Sequence, residues 1–311
     1  MQFIRGLHNL NQQHRGCALT IGNFDGVHLG HTRILQNLRE QADKMGLHSC
    51  IMSFEPLPQE YFNRQTAPVR LQGLREKWCA LQASGVEYFL CCKFDHRLAE
   101  LTAEQFIQDI LLDKLGVKYL LVGDDFRFGH RRAGDFETLR QAGQAHGFEV
   151  HNSPSHCYRN ERISSTRIRQ ALLEDRLDDA SAMLGRPYQI RGRVAHGDKR
   201  GRTIGFPTAN IRLARHASAV QGVYAVHMSG EHGLSANGVA NVGRRPTVNG
   251  QQLQLEVHLF DFDGDLYGHQ VCVEFKHKIR NEIRFDSFEE LKQQIVKDST
   301  QAKDFFARNI T

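Results

Sequence analysis

The chain has 311 residues, 40% of them hydrophobic and 24% charged, with a net charge of +5. That length exceeds most single cores and predicts two domains, while the composition is that of an ordinary globular protein and excludes a disordered or fibrous chain. The mild basicity suits anionic small molecules. A nucleic-acid binder would concentrate its Lys and Arg with interleaved aromatics, and no such stripe is visible, so nucleic acid is not an expected partner.

Seven cysteines (17, 50, 79, 91, 92, 157 and 272) form no CxxC pair and mostly sit in apolar runs. An odd count without framework spacing predicts reduced thiols and a cytoplasmic protein. No signal-like apolar core follows Met1, and no run reaches the roughly 18 apolar residues of a membrane span, so no membrane association is expected.

In chain order, residues 17 to about 154 alternate strand and helix with short connections. Strands are predicted at 17–22, 48–54, 87–94, 117–123 and 148–152, and helices at 30–45, 69–84, 102–115 and 135–146. Thr102 with Gln105 fits a capping box, and Gly46, Gly85, Gly116 and Gly147 stand where helices should stop. This pattern implies a Rossmann-like parallel sheet covered by helices, with ligands beyond the carboxyl ends of its strands. Trp78 reads as a packing residue of the second helix rather than a ligand-stacking one. Helical segments run on to Leu184.

From Gly185 the texture changes to short β-rich runs: 188–196, 222–228, 237–242, 253–262 and 270–277. They predict a small antiparallel β-barrel. One amphipathic helix (287–306) follows, with Phe288, Leu291, Ile295, Phe305 and Phe306 as its apolar face. Its charged positions, among them Glu289, Glu290, Lys292, Lys297, Asp298 and Lys303, read as a solvated face. The domain boundary is placed near 184–187, giving domains 1–184 and 185–311.

The stretch TIGNFDGVHLGH (20–31) joins the first strand to the first helix. A strand, a glycine-bearing loop and a helix N-terminus gather unpaired amides and the positive end of a helix dipole, which favours a phosphate. His28 and His31 project together from the first turn. On spacing alone they read as arms on a phosphate, as a metal pair, or as surface histidines. VGDDFRFGHRRAG (122–134) and ISSTRIR (163–169) are expected at the same sheet edge. The latter offers hydroxyls, amides and arginines at a helix start.

GNFDGVHLGH with ISSTRIR resembles the HxGH nucleotidyltransferases, and among them the FMN adenylyltransferase half of bacterial bifunctional FAD synthetases. FEPLPQEYF (54–62), RLQGLREK (70–77) and VGDDFRFGHRRAG extend the likeness. In the second domain GRTIGFPTAN (201–210), GVYA, NVGRRPT and EVHLFDFDGDLYG resemble the riboflavin kinase signature. The resemblance implies two transfers from ATP: phosphate to riboflavin, then AMP to FMN, releasing pyrophosphate, with Mg²⁺ as counter-ion.

By the same resemblance His28 and His31 contact the ATP phosphates, and Ser165, Thr166 and Arg169 hold their outer end. Gly22, Asn23, Phe24, Asp25 and Gly30 line the nucleotide loop, and Asp125 lies near the reacting phosphates. In the kinase half Gly192, His196, Gly197, Gly201, Arg202, Gly205 and Pro207 wrap a second ATP, and Thr208 and Asn210 offer oxygens to Mg²⁺. Glu256 is the implied base for the riboflavin hydroxyl. Arg280, Glu282 and Phe285 match a flavin-covering flap. Two rivals are a nucleotidyltransferase with another acceptor and a regulatory barrel, and an OB-like RNA binder. Against the second, Glu256, Asp261 and Asp263 on one strand would repel a nucleic-acid backbone. Oligomeric state is not legible.

Overall fold

A computed structural model of the chain describes residues 1–123, 125–195, 206–213, 217–247 and 250–309, with backbone only at 212, 244–247 and 250–252. Packing divides it into two units: Met1–Pro68 with Lys77–Ser164, and Val69–Glu76 with Ser165–Thr311.

The first unit opens with β1 (Gln2–Arg5) and β2 (Cys17–Ile21), followed by α1 (Leu29–Met45), β3 (His48–Glu55) and α2 (Pro58–Phe62). Next come α3 (Leu74–Gln82), whose first three residues belong to the second unit, β4 (Tyr88–Lys93), α4 (His96–Ala99) and α5 (Ala103–Gln105). β5 (Tyr119–Val122), α6 (Phe136–His146) and β6 (Glu149–Asn152) complete the layer, and β7 (Cys157–Tyr158) and β8 (Glu161–Arg162) form a short hairpin.

The six-stranded sheet has the order β1-β4-β3-β2-β5-β6, and every pairing in it is parallel. β2 is central and buried along its whole length, which is why it reads as a continuous apolar run. The chain runs outward from β2 in both directions, so the crevice beyond β2 and β5 is the switch point of the sheet.

All five predicted strands are present. β1 was not foreseen, because only Ile4 of its four residues is buried and edge strands carry little pattern. The helix expected at 69–84 is shorter. The Glu76 carboxylate accepts the Gly73 N–H at 2.5 Å, half of a capping box that starts α3 at Leu74. The predicted 102–115 helix begins with the reciprocal Thr102–Gln105 box, then widens into a π-helix over Phe106–Lys114. Gly46 and Gly147 close α1 and α6 in the left-handed conformation. Trp78 packs edge-on to Phe3 at 5.3 Å and stacks on Phe89 at 6.0 Å.

The second unit holds α7 (Ser165–Leu173), α8 (Leu177–Leu184) and a closed antiparallel barrel. Its strands are β9 (Gln189–Ala195), β10 (Ala209–Arg212), β11 (Gly222–Gly230), β12 (Ser235–Thr247), β13 (Gly250–Leu259) and β14 (Gln270–Arg280), in the order β10-β13-β12-β11-β14-β9. Strict alternation places Leu253, Leu255, Val257 and Leu259 inside. β10 escaped the sequence reading because it is four residues long and its first two, Ala209 and Asn210, end a glycine-rich signature that reads as a loop.

The last helix, α9 (Phe288–Arg308), packs through Ala302, Phe305 and Phe306 against Val223, Ala225 and Val239. Two expectations about it are corrected. Phe288 is 56% exposed, and Asp298, expected in water, is 3% exposed and paired with Arg280.

Candidate functional site

The segment between β2 and α1 is a loop, yet it is buried. Phe24, Asp25, Val27 and His28 are each 5% exposed or less. Phe24 and Val27 hold φ of 47° and 40°, a left-handed conformation that is uncommon for side chains of this size. Such backbone persists only when its surroundings dictate it, and here they do. The Asn23 carbonyl accepts from Lys77 Nζ at 2.6 Å and from Ser53 Oγ at 3.3 Å. Lys77 is itself 1% exposed. Gly22 N–H is held by the Met52 carbonyl of β3.

His28 is the N-cap of α1, and its Nδ1 accepts the His31 N–H at 3.3 Å. That bond requires Nδ1 to be unprotonated, so the neutral ring carries its proton on Nε2. The two imidazoles stack with centroids 3.7 Å apart and 15° between their planes. Gly30 makes room for this. A Cβ there would meet His28 Nδ1 at 3.1 Å and Cε1 at 3.2 Å. The glycine inside HxGH thus serves the first histidine's ring.

Phe24 supports the second histidine, its ring centroid 5.0 Å from that of His31. Among the described residues, His31 Nδ1 is buried without a hydrogen-bond partner. Burial, and then the neighbouring His28, Lys77 and Arg162 charges, hold the His31 pKa well below the usual 6.5. The ring is therefore neutral near pH 7. An unsatisfied buried ring nitrogen at a helix N-terminus is a place for a ligand atom.

Asp125, just past β5, is exposed and ion-paired with Arg162 at 3.0 Å. In the second unit Ser165 and Thr166 open α7, and Arg169 Nε donates to the Val69 carbonyl at 2.6 Å. The structure brings Asn23, Phe24, Asp25 and His28 of the β2–α1 loop together with Gly30 and His31 of the first turn of α1; Phe24, Asp25 and His28 are buried, Gly30 and His31 half-buried and Asn23 exposed. Lys77, the loop's main tether, lies in a quoted motif but was given no role, since a helix pattern does not reveal a buried lysine.

On the barrel, β13 places Glu256 opposite in facing to Leu255 and Val257, on the outer side, where it is half-buried. Its register neighbours are Asn210 on β10 and Asn241 on β12, so an Asn–Glu–Asn row crosses three strands on one face. Asn241 was not anticipated. It becomes visible only when the register is known. Asn210 Oδ1 accepts from Gln254, and its Nδ2 donates to the Thr208 carbonyl at 3.4 Å. Thr208 and Asn210 together offer hard oxygen donors, which fit Mg²⁺.

The Pro207 carbonyl faces His258 Nδ1 at 2.9 Å, and Gly192 lies on β9. His196, Gly197, Gly201, Arg202 and Gly205 lie outside the described residues. Arg280 is engaged within the protein: its guanidinium grips both Asp298 oxygens at 2.7–3.1 Å and lies over the Phe285 ring at 5.8 Å. Glu282 is exposed, with its carboxylate where a Gly243 side chain would be.

The family model described as FAD synthetase matches residues 10–167, and the one described as riboflavin kinase matches residues 184–306. A bifunctional riboflavin kinase/FMN adenylyltransferase from Haemophilus influenzae is 53% identical over 306 residues, covering 98% of this chain and 99% of its own. The protein of that name from Pseudomonas fluorescens is 49% identical, covering 97% of both. The crystal structure of a macrolide-efflux protein from Streptococcus pneumoniae matches with a TM-score of 0.80 and 30% identity, covering 100% of both chains. Among the described residues, no helix is long and apolar enough to cross a membrane. The chain belongs to the bifunctional riboflavin kinase/FMN adenylyltransferase family.

Proposed function

We propose that this chain phosphorylates riboflavin to FMN and then joins FMN to AMP, giving FAD and pyrophosphate. The observation that carries the reading is the pair of complete signatures on one chain, each covered by its own family model. Residues 1–184 are assigned the adenylyl transfer and 185–311 the kinase step, a division close to the limits of the two matches.

In the kinase step the riboflavin 5′-hydroxyl attacks the γ-phosphorus of ATP, its proton passes to Glu256, and ADP leaves. A carboxylate within reach of that hydroxyl is what the transfer needs. The glycine segment from Gly192 to Pro207 embraces this ATP. Thr208 and Asn210 would hold Mg²⁺, which supplies neutralisation of phosphate charge when bound. Arg280, Glu282 and Phe285 flank the flavin.

In the second step a phosphate oxygen of FMN attacks the α-phosphorus of the other ATP, and the bond to pyrophosphate breaks. Both reactants are substrates, so the protein contributes position and fixed donors. His28 Nε2–H and the His31 ring meet the phosphates, with the dipole of α1 behind them. Ser165, Thr166 and Arg169 hold the departing end. Gly22, Asn23, Phe24, Asp25 and Gly30 shape the loop, and Asp125 borders the reacting groups. Seven free cysteines accord with a cytoplasmic protein.

The test is a chromatographic assay of purified protein with riboflavin, ATP and Mg²⁺. FMN followed by FAD is expected, and absence of both products rejects the assignment. His28→Ala should accumulate FMN, whereas Glu256→Ala should still convert supplied FMN to FAD. A folded variant that loses both activities would overturn the division of labour.

A further inference from the structure

At the end of the barrel formed by the β11–β12 hairpin, three metal-ligating side chains converge that neither reaction uses. We infer that Glu231, His232 and His269 form a binding site for a divalent transition-metal ion of the zinc class. One ligand atom from each lies within 4.8 Å of the other two. The two imidazole centroids are 5.2 Å apart. A tetrahedral ion with bonds near 2.1 Å needs about 3.4 Å between ligand atoms, which side-chain rotation supplies without moving the backbone.

The backbone that presents them is tied on both sides. β11 and β14 pair as far as Gly230 with Val271, so Glu231 and Gln270 leave the ladder side by side, with His232 and His269 the next residues outward. The 231–233 turn is closed by Gly230 N–H to the Leu234 carbonyl at 3.0 Å and Leu234 N–H to the Glu231 carbonyl at 3.2 Å. His232 sits in the left-handed conformation, φ 55°, which aims its ring at His269 rather than along the hairpin. His269 is pinned by its N–H to the Leu266 carbonyl and by its carbonyl to Val194 N–H. Ligands held in this way lose little freedom on binding.

Two imidazoles and one carboxylate favour Zn²⁺, Ni²⁺ or Cu²⁺ and disfavour Mg²⁺, which seeks oxygen donors. The ion therefore differs from the one the phosphotransfer chemistry uses. Three protein ligands leave further positions for water. Bound there, the ion would cross-link the hairpin to the start of β14.

The measurement is a Zn²⁺ titration of the full chain by competition with a chromogenic chelator, with each Tm measured with and without added Zn²⁺. The variants are His232→Asn, which tolerates the left-handed backbone, His269→Gln, Glu231→Gln and, as a control on the other histidine pair, His28→Ala. The expected result is one tight site per chain in the wild type and in His28→Ala. His232→Asn, His269→Gln and Glu231→Gln should each bind more weakly, the two histidine variants of this site at least tenfold, and lose the Zn²⁺-dependent rise in Tm, while their chelator-treated Tm and FAD formation stay at wild-type values. The inference is overturned if wild type binds no Zn²⁺ at micromolar concentrations. It is equally overturned if His232→Asn and His269→Gln bind as the wild type does, or if the tight site disappears with His28→Ala.

Discussion

Replacing Gly30 by alanine should separate stability from the second reaction. Gly30 is helical, so alanine there gains up to about 1 kcal/mol in helix propensity. Against that, the new Cβ would stand 3.1 Å from His28 Nδ1. The ring must shift by a few tenths of an ångström, and the already long 3.3 Å cap bond to the His31 N–H weakens. Losing an N-cap bond costs about 1 kcal/mol. The two effects offset to within about 1 kcal/mol, or roughly 2–4 °C in Tm for a unit of this size. The catalytic loss is larger, because a displaced transition-state donor costs about 10²-fold. FAD formation from FMN and ATP should fall between ten- and a hundredfold, with FMN formation from riboflavin unchanged. Wild-type FAD formation in Gly30→Ala would show that the His28 ring position carries no catalytic weight. Parallel loss of both activities would show instead that the substitution acts through folding.

The low His31 pKa has a definite sign. The unfolded chain binds a proton near pH 6.5 that the native ring refuses, so native stability is complete above that pH and declines as the pH falls below it. His14, also shifted down, adds a change of the same sign. In thermal melts from pH 7.5 to 5.5, His31→Asn should lose Tm less steeply than wild type, and parallel lines would contradict the buried neutral ring. The Arg280–Asp298 pair predicts a different outcome. Arg280→Met strands a carboxylate that is 3% exposed and should cost about 3 kcal/mol, whereas Arg280→Met with Asp298→Leu should recover most of it. Denaturant melts decide between this and a free flap arginine, whose loss would leave stability untouched and change only flavin affinity.

The parallel sheet was legible because β2, β3, β4 and β5 are largely buried on both faces and read as mostly apolar runs without polar alternation. The barrel was legible from alternation such as Leu253, Leu255, Val257 and Leu259. What stayed hidden depends on pairing across the chain. β1 has one buried residue and is a strand only because β4 accepts it. Asn241 joins Glu256 through register, which no local pattern encodes. Asp298 looked solvated because seven other charged residues share its helix, yet one distant arginine turns it inward. The histidines, by contrast, were legible as a pair at fixed spacing. Their buried state was not, because loops ordinarily run over the surface and this one is packed beneath its own phenylalanine and a lysine from α3.

The two sites are held rigid by different means, and this bears on how each fails. In the first unit, placement rests on a loop with two non-glycine residues in left-handed backbone, each costing on the order of 1–3 kcal/mol. That conformation survives because Phe24 is sealed in the core and the Asn23 carbonyl is tied to both Lys77 and Ser53. Loosening one tie lets the loop relax while the parallel sheet, which does not depend on it, stays folded. In the second unit, Asn210, Glu256 and Asn241 stand on three hydrogen-bonded strands of a closed barrel. Their relative positions cannot change unless the ladder shifts register, which would turn Leu255 and Val257 outward. Damage to the supports of the first site should therefore cost FAD formation before stability. Damage to the ladder beneath the second should cost both together.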